Sequence, residues 1–298
     1  MFNAEAFCFE YNIAFAPRGH QHRRKGWVNV ICPYCTGTHF GYHLGINTLE
    51  GWASCYRCGG HWLPKVVATL AKVPIQEAFR IIKRHSSGEL LQEYNEIVSR
   101  KEKLEFPECC GTLQSMHWKY LKSRNFKASV AREWELMGTG IHGPYNFRII
   151  APIRLDGILI SYQGRDITDK SKMRYKNCSA EDEVYPHKHV IYGIDKCKGK
   201  RILVVEGITD AWRIGPGCGA TFGINWSPPQ ARLIASRFEE FIILYDNEEQ
   251  AQEKALALYQ YLTARGVDGE IATINIGKDP GGLTEKQAQE IKGDFGIK

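Results

Sequence analysis

Three stretches in the last third of this 298-residue chain decide its architecture: Arg201-Ile-Leu-Val-Val-Glu206, Phe241-Ile-Ile-Leu-Tyr-Asp246 and Glu270-Ile-Ala-Thr-Ile-Asn-Ile-Gly277-Lys-Asp279. Each is short, rich in β-branched residues and free of polar alternation, the pattern of a strand buried on both faces of a parallel sheet. Helical stretches at Thr209–Ile214, Pro228–Phe238 and Glu248–Arg265 separate them, which gives a βαβ rhythm. In such sheets ligands bind beyond the carboxyl ends of the strands. Glu206, Asp246 and Asp279 are therefore expected along one edge, with Glu248 two residues past Asp246. Gathered carboxylates repel one another unless divalent cations neutralise them, and hard oxygen ligands suit Mg²⁺ or Mn²⁺. A single strand-end acid is more often a helix cap or a turn residue. Three on successive strands, with Gly207 directly after the first, favour a metal site.

The chain is long enough for two or three domains with real cores. Its 43% hydrophobic and 24% charged residues exclude a disordered or fibrous class. No apolar run approaches membrane-span length, and the first residues, Met1-Phe-Asn-Ala-Glu-Ala-Phe7, lack the basic start of a signal peptide. A cytoplasmic setting is expected, and the ten cysteines then read as ligands and free thiols rather than bridges. The net charge of +6 is unevenly spread: residues 1–200 carry 29 Lys and Arg against 19 Asp and Glu, residues 201–298 carry 10 against 14. That split suits a protein holding a polyanion with one part and metal ions with another, though a solvated mixed surface gives the same count.

Near the N-terminus a short helix precedes a basic, His-containing stretch. Then come Cys32-Pro-Tyr-Cys35, nineteen residues, and Cys55-Tyr-Arg-Cys58. Two C-x₂-C knuckles at this spacing close a tetrahedral Cys₄ zinc site, structural because no position is left open. One zinc per chain is expected, with His39, His43 and His61 as nearby alternatives. Between the knuckles Phe40–Asn47 and Trp52–Ser54 read as a hairpin turning at Asn47–Gly51. Tyr34, Tyr42, His43, Trp52, Tyr56, Arg57 and Trp62 interleave rings with cations, as in a single-strand reader or simply in a small module burying its aromatics. Helices at Trp62–Leu70 and Ile75–Arg84 complete a first domain. A charged helix from Glu89 to Lys103 leads on from His85-Ser-Ser-Gly88, and the pair Cys109-Cys110 reads as ordinary thiols.

The middle of the chain opens with helices around His117–Ser123 and Ser129–Glu135. Strands at Phe147–Ile153 and Gly157–Gln163 follow. Arg148, Arg165, Lys172, Arg174, Lys176 and Lys188 recur there, either as a solvated face or as holders of triphosphate and nucleic-acid backbone beside the acids. The expected organisation is an α+β and α/β multidomain chain: a zinc ribbon over 1–88, a linker helix over 89–110, a basic mixed α/β subdomain over 111–198 and a parallel-sheet domain over 199–298.

These motifs, in this order, resemble the bacterial and phage DnaG-type primases over nearly the whole chain. The Cys₄ ribbon followed by Trp62-Leu-Pro-Lys-Val-Val-Ala-Thr-Leu70 and Gln76-Glu-Ala-Phe79 is similar to the family's zinc-binding domain, in its phage version. Phe147-Arg-Ile-Ile-Ala-Pro-Ile153, Gln163-Gly-Arg165, Arg174-Tyr-Lys-Asn177 and Ile191-Tyr-Gly193 match its basic subdomain. Val205-Glu-Gly-Ile-Thr-Asp210, Tyr245-Asp-Asn-Glu248 and Lys278-Asp-Pro280 look like the three motifs of its TOPRIM fold. Three positions depart: Glu248 stands for the second Asp of Asp-x-Asp, Gly281 for the last motif's second acid, and Arg174 for a usual Lys.

The resemblance implies a DNA-dependent RNA polymerase that makes short primers on single-stranded DNA by two-metal nucleotidyl transfer. Glu206, Asp246, Glu248 and Asp279 would hold Mg²⁺ or Mn²⁺, and Asp210 would bind metal or support the site. Arg148, Arg165, Lys172, Arg174, Asn177 and Lys188 would hold nucleotide and nucleic acid, with His43, Trp52 and Tyr56 contacting the template. The absence of a G-x₄-G-K-[ST] loop implies a compact phage or mobile-element enzyme working with a separately encoded replicative helicase, in a bacterial or infected-host cytoplasm. Two rivals use the same residues: a TOPRIM nuclease that cleaves instead of joining, and a non-catalytic single-stranded-DNA-binding zinc protein.

Overall fold

A four-stranded antiparallel sheet organises the first third of the chain, and one turn sets its register. After α1 (Ala4–Glu10), the sheet runs β1 (Trp27–Val30), β2 (Leu44–Asn47), β3 (Trp52–Cys55) and β4 (Gly59–His61), each paired with the next. The Asn47 side-chain oxygen accepts the backbone N–H groups of Leu49 and Glu50 at 2.9 and 3.0 Å, and Gly51 takes the left-handed conformation that returns the chain. This is the expected hairpin, with Leu44 facing Cys55 in register. Its outer portion at residue 40 lies outside the described residues, as does His39. The computed structural model describes residues 1–21, 23–35, 41–98, 100, 102–274 and 279–297.

Three helices follow: α2 (Leu63–Ala71), α3 (Ile75–Arg84) and α4 (Glu89–Val98). Pro64 sits in the first turn of α2, where its missing N–H costs nothing, and Lys72 closes the helix in a left-handed conformation. The apolar faces of α2 and α3 bury Leu63, Val66, Val67, Phe79, Ile81 and Ile82 together with Phe2, Phe7, Leu44 and Ile46.

The chain divides into Met1–Glu102 with Ser236–Phe238, and Lys103–Ala235 with Glu239–Lys298. The segment expected to link domains over 89–110 is therefore shared out. Leu90 of α4 is buried against Gly51 in the first unit, whereas Leu104 is buried in the second with Tyr145, Ile150, Tyr162, Cys178 and Val184. Apolar side chains at both ends give that segment packing partners that its charge pattern conceals.

In the second unit α5 (Ser115–Ser123) and α6 (Ala128–Glu133) precede an antiparallel sheet of β5 (Met137–Gly138), β6 (Arg148–Leu155), β7 (Ile158–Asp166) and β8 (Tyr175–Asn177). Asp156-Gly157 joins β6 to β7 with positive φ at both residues, the two-residue hairpin turn this dipeptide favours. The Asp195 carboxylate accepts both turn amides at 2.8 and 2.7 Å.

Then follow β9 (Arg201–Val205), α7 (Ile208–Ile214), β10 (Cys218–Ala220), α8 (Pro228–Arg237), β11 (Glu240–Ile243), α9 (Glu249–Thr263), β12 (Asp268–Ile271) and α10 (Glu285–Asp294). The four strands form a parallel sheet in the order β10-β9-β11-β12. Strands β9 and β11 are buried as their composition requires. The third apolar run behaves differently. Its strand is β12, which begins two residues earlier than Glu270, ends at Ile271 and lies at the sheet edge with Asp268, Gly269 and Glu270 exposed. Residues 275–278 of that run lie outside the described residues. Strand β10, only Cys-Gly-Ala, carries too few residues to show a periodicity. The backbone of Tyr192 bridges its outer side, exchanging hydrogen bonds with Ala220 at 2.9 and 3.1 Å. Among the described residues no helix is long and apolar enough to cross a membrane.

Because Leu104 is buried in the second unit's core, Leu104→Ala should destabilise that unit by about 2–5 kcal/mol. Urea denaturation followed by Trp fluorescence checks this, and an unchanged midpoint would place the residue outside the cooperative core.

Candidate active site

Strand β9 delivers Glu206 to the end of the parallel sheet, and the next residue turns the chain into α7. The Gly207 backbone N–H donates to the Asp210 carboxylate at 2.9 Å, so Asp210 serves the start of its own helix from the third position. A side chain at 207 would meet that carboxylate, its Cβ falling 2.9 Å from the oxygen, which explains the glycine. Beyond β11 the Asp246 N–H donates to Glu206 Oε1 at 2.9 Å, tying two of the acids together through the backbone. The Asp246 carbonyl accepts from Gln252 Nε2 on α9 at 2.9 Å. Asp279 caps a short turn, accepting the Gly282 N–H at 2.8 Å.

These acids line one cavity of about 290 Å³ with Arg124, Gln163, Arg165, Arg174, Tyr175, Thr209, Phe222 and Gly223. Of the residues singled out in the sequence, Glu206, Asp210, Asp246, Asp279, Arg165 and Arg174 meet there. Glu248 is exposed as the N-cap of α9, outside the lining, yet its charge acts on both Glu206 and Asp246. Asp279 arrives from the turn that follows 275–278 rather than from the end of β12.

The electrostatics are those of crowded acids. Burial pushes the Asp210 carboxyl up to about 7, with Asp246, Asp279 and Glu206 adding to it against the pull of the Gly207 N–H. Asp246 is also pushed up to about 7, by burial first and then by Glu206, Asp279 and Glu248. Glu206 is raised by burial and by Glu248 and Asp279, against the Asp246 N–H. Asp246 Oδ1 is buried and has no hydrogen-bond partner among the described residues. Carboxylate donors and an orphaned oxygen are the donor chemistry of a hard divalent cation of the Mg²⁺ or Mn²⁺ class, although among the described residues only the four cysteines bring three or more ligand atoms within 4.8 Å of one another.

The cations divide into two kinds. Arg165 is buried with its guanidinium over the Tyr175 ring at 4.9 Å from the centroid, and its Nε donates to the Tyr120 hydroxyl at 2.9 Å. Arg174 is exposed at the cavity rim. Arg148 is turned away: its guanidinium is buried and donates to the carbonyls of Gly164 and Met173 at 3.2 and 2.9 Å and to Ser171 Oγ at 3.1 Å. It shapes the 171–174 loop instead of lining the cavity.

Lys172 is exposed away from the lining. The Asn177 amide oxygen accepts from Gln163 Nε2, and Lys188 is part-buried, donating to the Phe222 carbonyl at 3.2 Å. Arg124, Tyr175 and Thr209 were not singled out in the sequence. Arg124 is the last-turn cap of α5, a place with no chemical signature, and the Tyr175 hydroxyl meets Thr209 Oγ1 at 2.9 Å across two separate motifs.

In the first unit the four ribbon cysteines converge, and their sulfurs all lie within 4.8 Å of one another. Cys32–Cys58, Cys35–Cys55 and Cys35–Cys58 are 3.5, 3.6 and 3.5 Å apart. Four sulfurs at about 2.3 Å from a tetrahedral centre stand about 3.8 Å apart, so the set fits Zn²⁺. The Arg57 N–H points at Cys55 Sγ at 3.4 Å, and His61, stacked on Tyr34, sets Nε2 3.1 Å from Cys58 Sγ beside the thiol set rather than replacing a member of it. Tyr56 is exposed, Trp52 is half-buried edge-on against Trp27, and His43 is buried edge-on against Tyr56.

Two measurements follow from this geometry. Elemental analysis should find about one zinc per chain, and Cys55→Ser should lose it together with the fold of the first unit, read by near-UV circular dichroism. Metal-free protein should also lose stability as pH rises. For Asp210 and Asp246 the folded pKa lies above the unfolded one, so their contribution is fully present below about pH 4 and is lost as pH passes about 7. Added Mn²⁺ should reverse the loss, because it keeps the ionised carboxylates satisfied. A melting temperature that rose from pH 5 to pH 8 without metal would contradict the crowding.

No protein-family model matches the chain. A DNA primase of Clostridium acetobutylicum is 27% identical over 159 residues, covering 50% of this chain and 26% of that protein, so the chain spans about a quarter of the curated relative's length. The zinc-binding and RNA polymerase domains of the Aquifex aeolicus primase superpose with a TM-score of 0.55 at 17% identity, over 97% of this chain and 81% of that one. A DnaG primase catalytic domain bound to single-stranded DNA gives 0.53 at 17% identity, over 62% and 73%. The Escherichia coli primase catalytic core gives 0.51 at 19%, over 61% and 73%. The chain therefore has the fold of the zinc-binding and RNA polymerase domains of DnaG-type primases, and it resembles a DNA primase in sequence over half its length.

Proposed function

We propose that this protein is a DNA primase, a nucleotidyltransferase that joins ribonucleoside triphosphates into short primers on a single-stranded DNA template. One observation carries the reading: Glu206, Asp210, Asp246 and Asp279 share a cavity with Arg124, Arg165 and Arg174. Acids alone suit a metal, and cations alone suit a polyanion. Both around one space suit a metal-bound nucleoside triphosphate.

Glu206, Asp246 and Asp279 would hold Mg²⁺ or Mn²⁺, with Glu248 at the rim adding charge and Asp210 completing the set. When bound, the metals activate a 3′-hydroxyl and stabilise the charge that develops on the α-phosphate. The protein's own contribution is placement. Arg174, exposed at the rim, offers its guanidinium to the triphosphate, and Arg165, clamped between two tyrosine rings, presents a fixed positive charge that needs no reorganisation. Phe222 and Gly223 close the cavity beside Glu206, with the Gly223 N–H on the Glu206 carbonyl at 2.8 Å. Through Tyr56 and its neighbours the zinc unit would contact template bases, while its Cys₄ site keeps that surface folded. A replicative helicase as partner and a cytoplasmic setting belong to the same proposal.

Glu206→Gln or Asp246→Asn should abolish product formation with four labelled nucleoside triphosphates, a mixed single-stranded template library and Mg²⁺ or Mn²⁺. Each should leave template binding largely intact. Oligomer synthesis by either variant at the wild-type rate would refute the assignment, and cleavage of template without synthesis by the wild type would mark a nuclease.

A further inference from the structure

Helix α7 carries Asp210 into the acid cavity and, one turn later, Arg213. Arg213 is buried, and buried guanidinium groups are ordinarily paired with carboxylates. This one is held by main-chain carbonyls. Its Nη2 donates to the Arg124 carbonyl, its Nη1 to that of Asn125 at 3.2 Å, and its Nε reaches the Gly281 carbonyl at 3.4 Å. The Phe126 ring covers one face at 4.3 Å from its centroid. Glu285, the acid whose charge reaches Arg213, is paired with Lys127 at 2.6 Å.

The three carbonyls belong to two loops far apart in sequence, and each loop supplies a side chain to the cavity. The loop after α5 supplies Arg124, and the turn after residue 278 supplies Asp279. At Gly281 the loops close on the acids: a Cβ there would lie 2.7 Å from Asp210 Oδ1, 3.2 Å from Asp279 Oδ1 and 3.6 Å from Arg124 Nη2. The glycine allows Asp210, Asp279 and Arg124 to meet around one backbone position. It also leaves that position with no side chain of its own to fix it. The Gly281 carbonyl is what remains to be gripped, and Arg213 grips it from the helix that carries Asp210.

We infer that Arg213 is a positioning residue, which locks the Arg124 loop and the Asp279 turn to helix α7 and so sets the spacing of the acids and the arginine around the cavity. It touches none of the reacting groups and acts through three backbone carbonyls. A rigid planar fork is required, because one group must satisfy acceptors on two loops at fixed separation; an ammonium, a point charge on a flexible stem, holds one loop at the expense of the other. The assignment rests on the reading of the acids as a metal site, and the test separates the two.

The full chain is titrated with Mn²⁺ by calorimetry as wild type, Arg213→Lys and Arg213→Gln, with melting curves for each. The wild type should bind Mn²⁺, and both variants, still folded, should bind it about tenfold more weakly, as when a group orienting metal ligands is removed. Lys should restore melting temperature better than it restores affinity. A purely structural role would lower both together. Variants that bind Mn²⁺ with wild-type affinity overturn the positioning role, whereas a wild type that binds none overturns the metal reading and this assignment with it.

A second measurement needs no variant. Hydrogen–deuterium exchange of the wild type should show Mn²⁺ protecting residues 120–127 together with 279–283, since Arg213 joins them. Protection of 279–283 without 120–127 overturns the clamp even if neither variant folds.

Discussion

Like charges do not gather in a half-buried cavity unless something rigid holds them, and the architecture of the second unit answers that requirement. Strand β9 is buried along its length, so Glu206 follows from a segment that cannot shift without exposing Ile202, Leu203, Val204 and Val205. The acids are also held to backbone: Glu206 by the Asp246 N–H, Asp210 by the Gly207 N–H and Asp279 by the Gly282 N–H. Backbone donors suit this task because they cannot rotate away when a neighbouring carboxylate loses its proton. Burial first, and then the neighbouring carboxylates, raise the proton affinity of Asp210 and Asp246, and a divalent cation would relieve it.

What could be read from the sequence followed from how strongly each feature is written in residue type. Two matched Cys pairs admit few alternatives, and their sulfurs meet at ligand distance. Strand β9 and helices α7, α8 and α9 fall within a residue or two of the stretches read for them, whereas β11 ends at Ile243, three residues short of Asp246; burial on two faces leaves the strands an uninterrupted apolar record. The third run misleads for the same reason. Its apolar residues Ala272 and Ile274 are buried after the strand has ended; the Ala272 N–H still donates to the Ile243 carbonyl at 2.9 Å and the Ile274 carbonyl accepts from Asn247 Nδ2 at 2.8 Å, so the apolar run outlasts the regular strand.

Cations were the least legible. Arg148 and Arg165 stand on facing strands of one sheet, each matched in the quoted motifs, and a sequence cannot tell which way each points. Arg148 turns into the carbonyls of the 171–174 loop, whereas Arg165 turns between two tyrosine rings toward the acids. Arg124 and Arg213 left no trace at all. One caps a helix end and the other lies in the last turn of a short helix, and their significance arises only where two loops distant in sequence are brought together.

The parallel sheet ends differently on its two sides, and this bears on how the protein behaves at high concentration. On the β10 side the backbone of Tyr192 already takes up hydrogen-bonding groups that a foreign strand would seek. On the β12 side the strand is short and exposes two acids, Asp268 and Glu270, on either side of Gly269. Another chain approaching that edge in register would bring its own acids against these, and repulsion would oppose pairing. Each border thus carries a feature that opposes cross-chain strand addition to a sheet with two very apolar central strands.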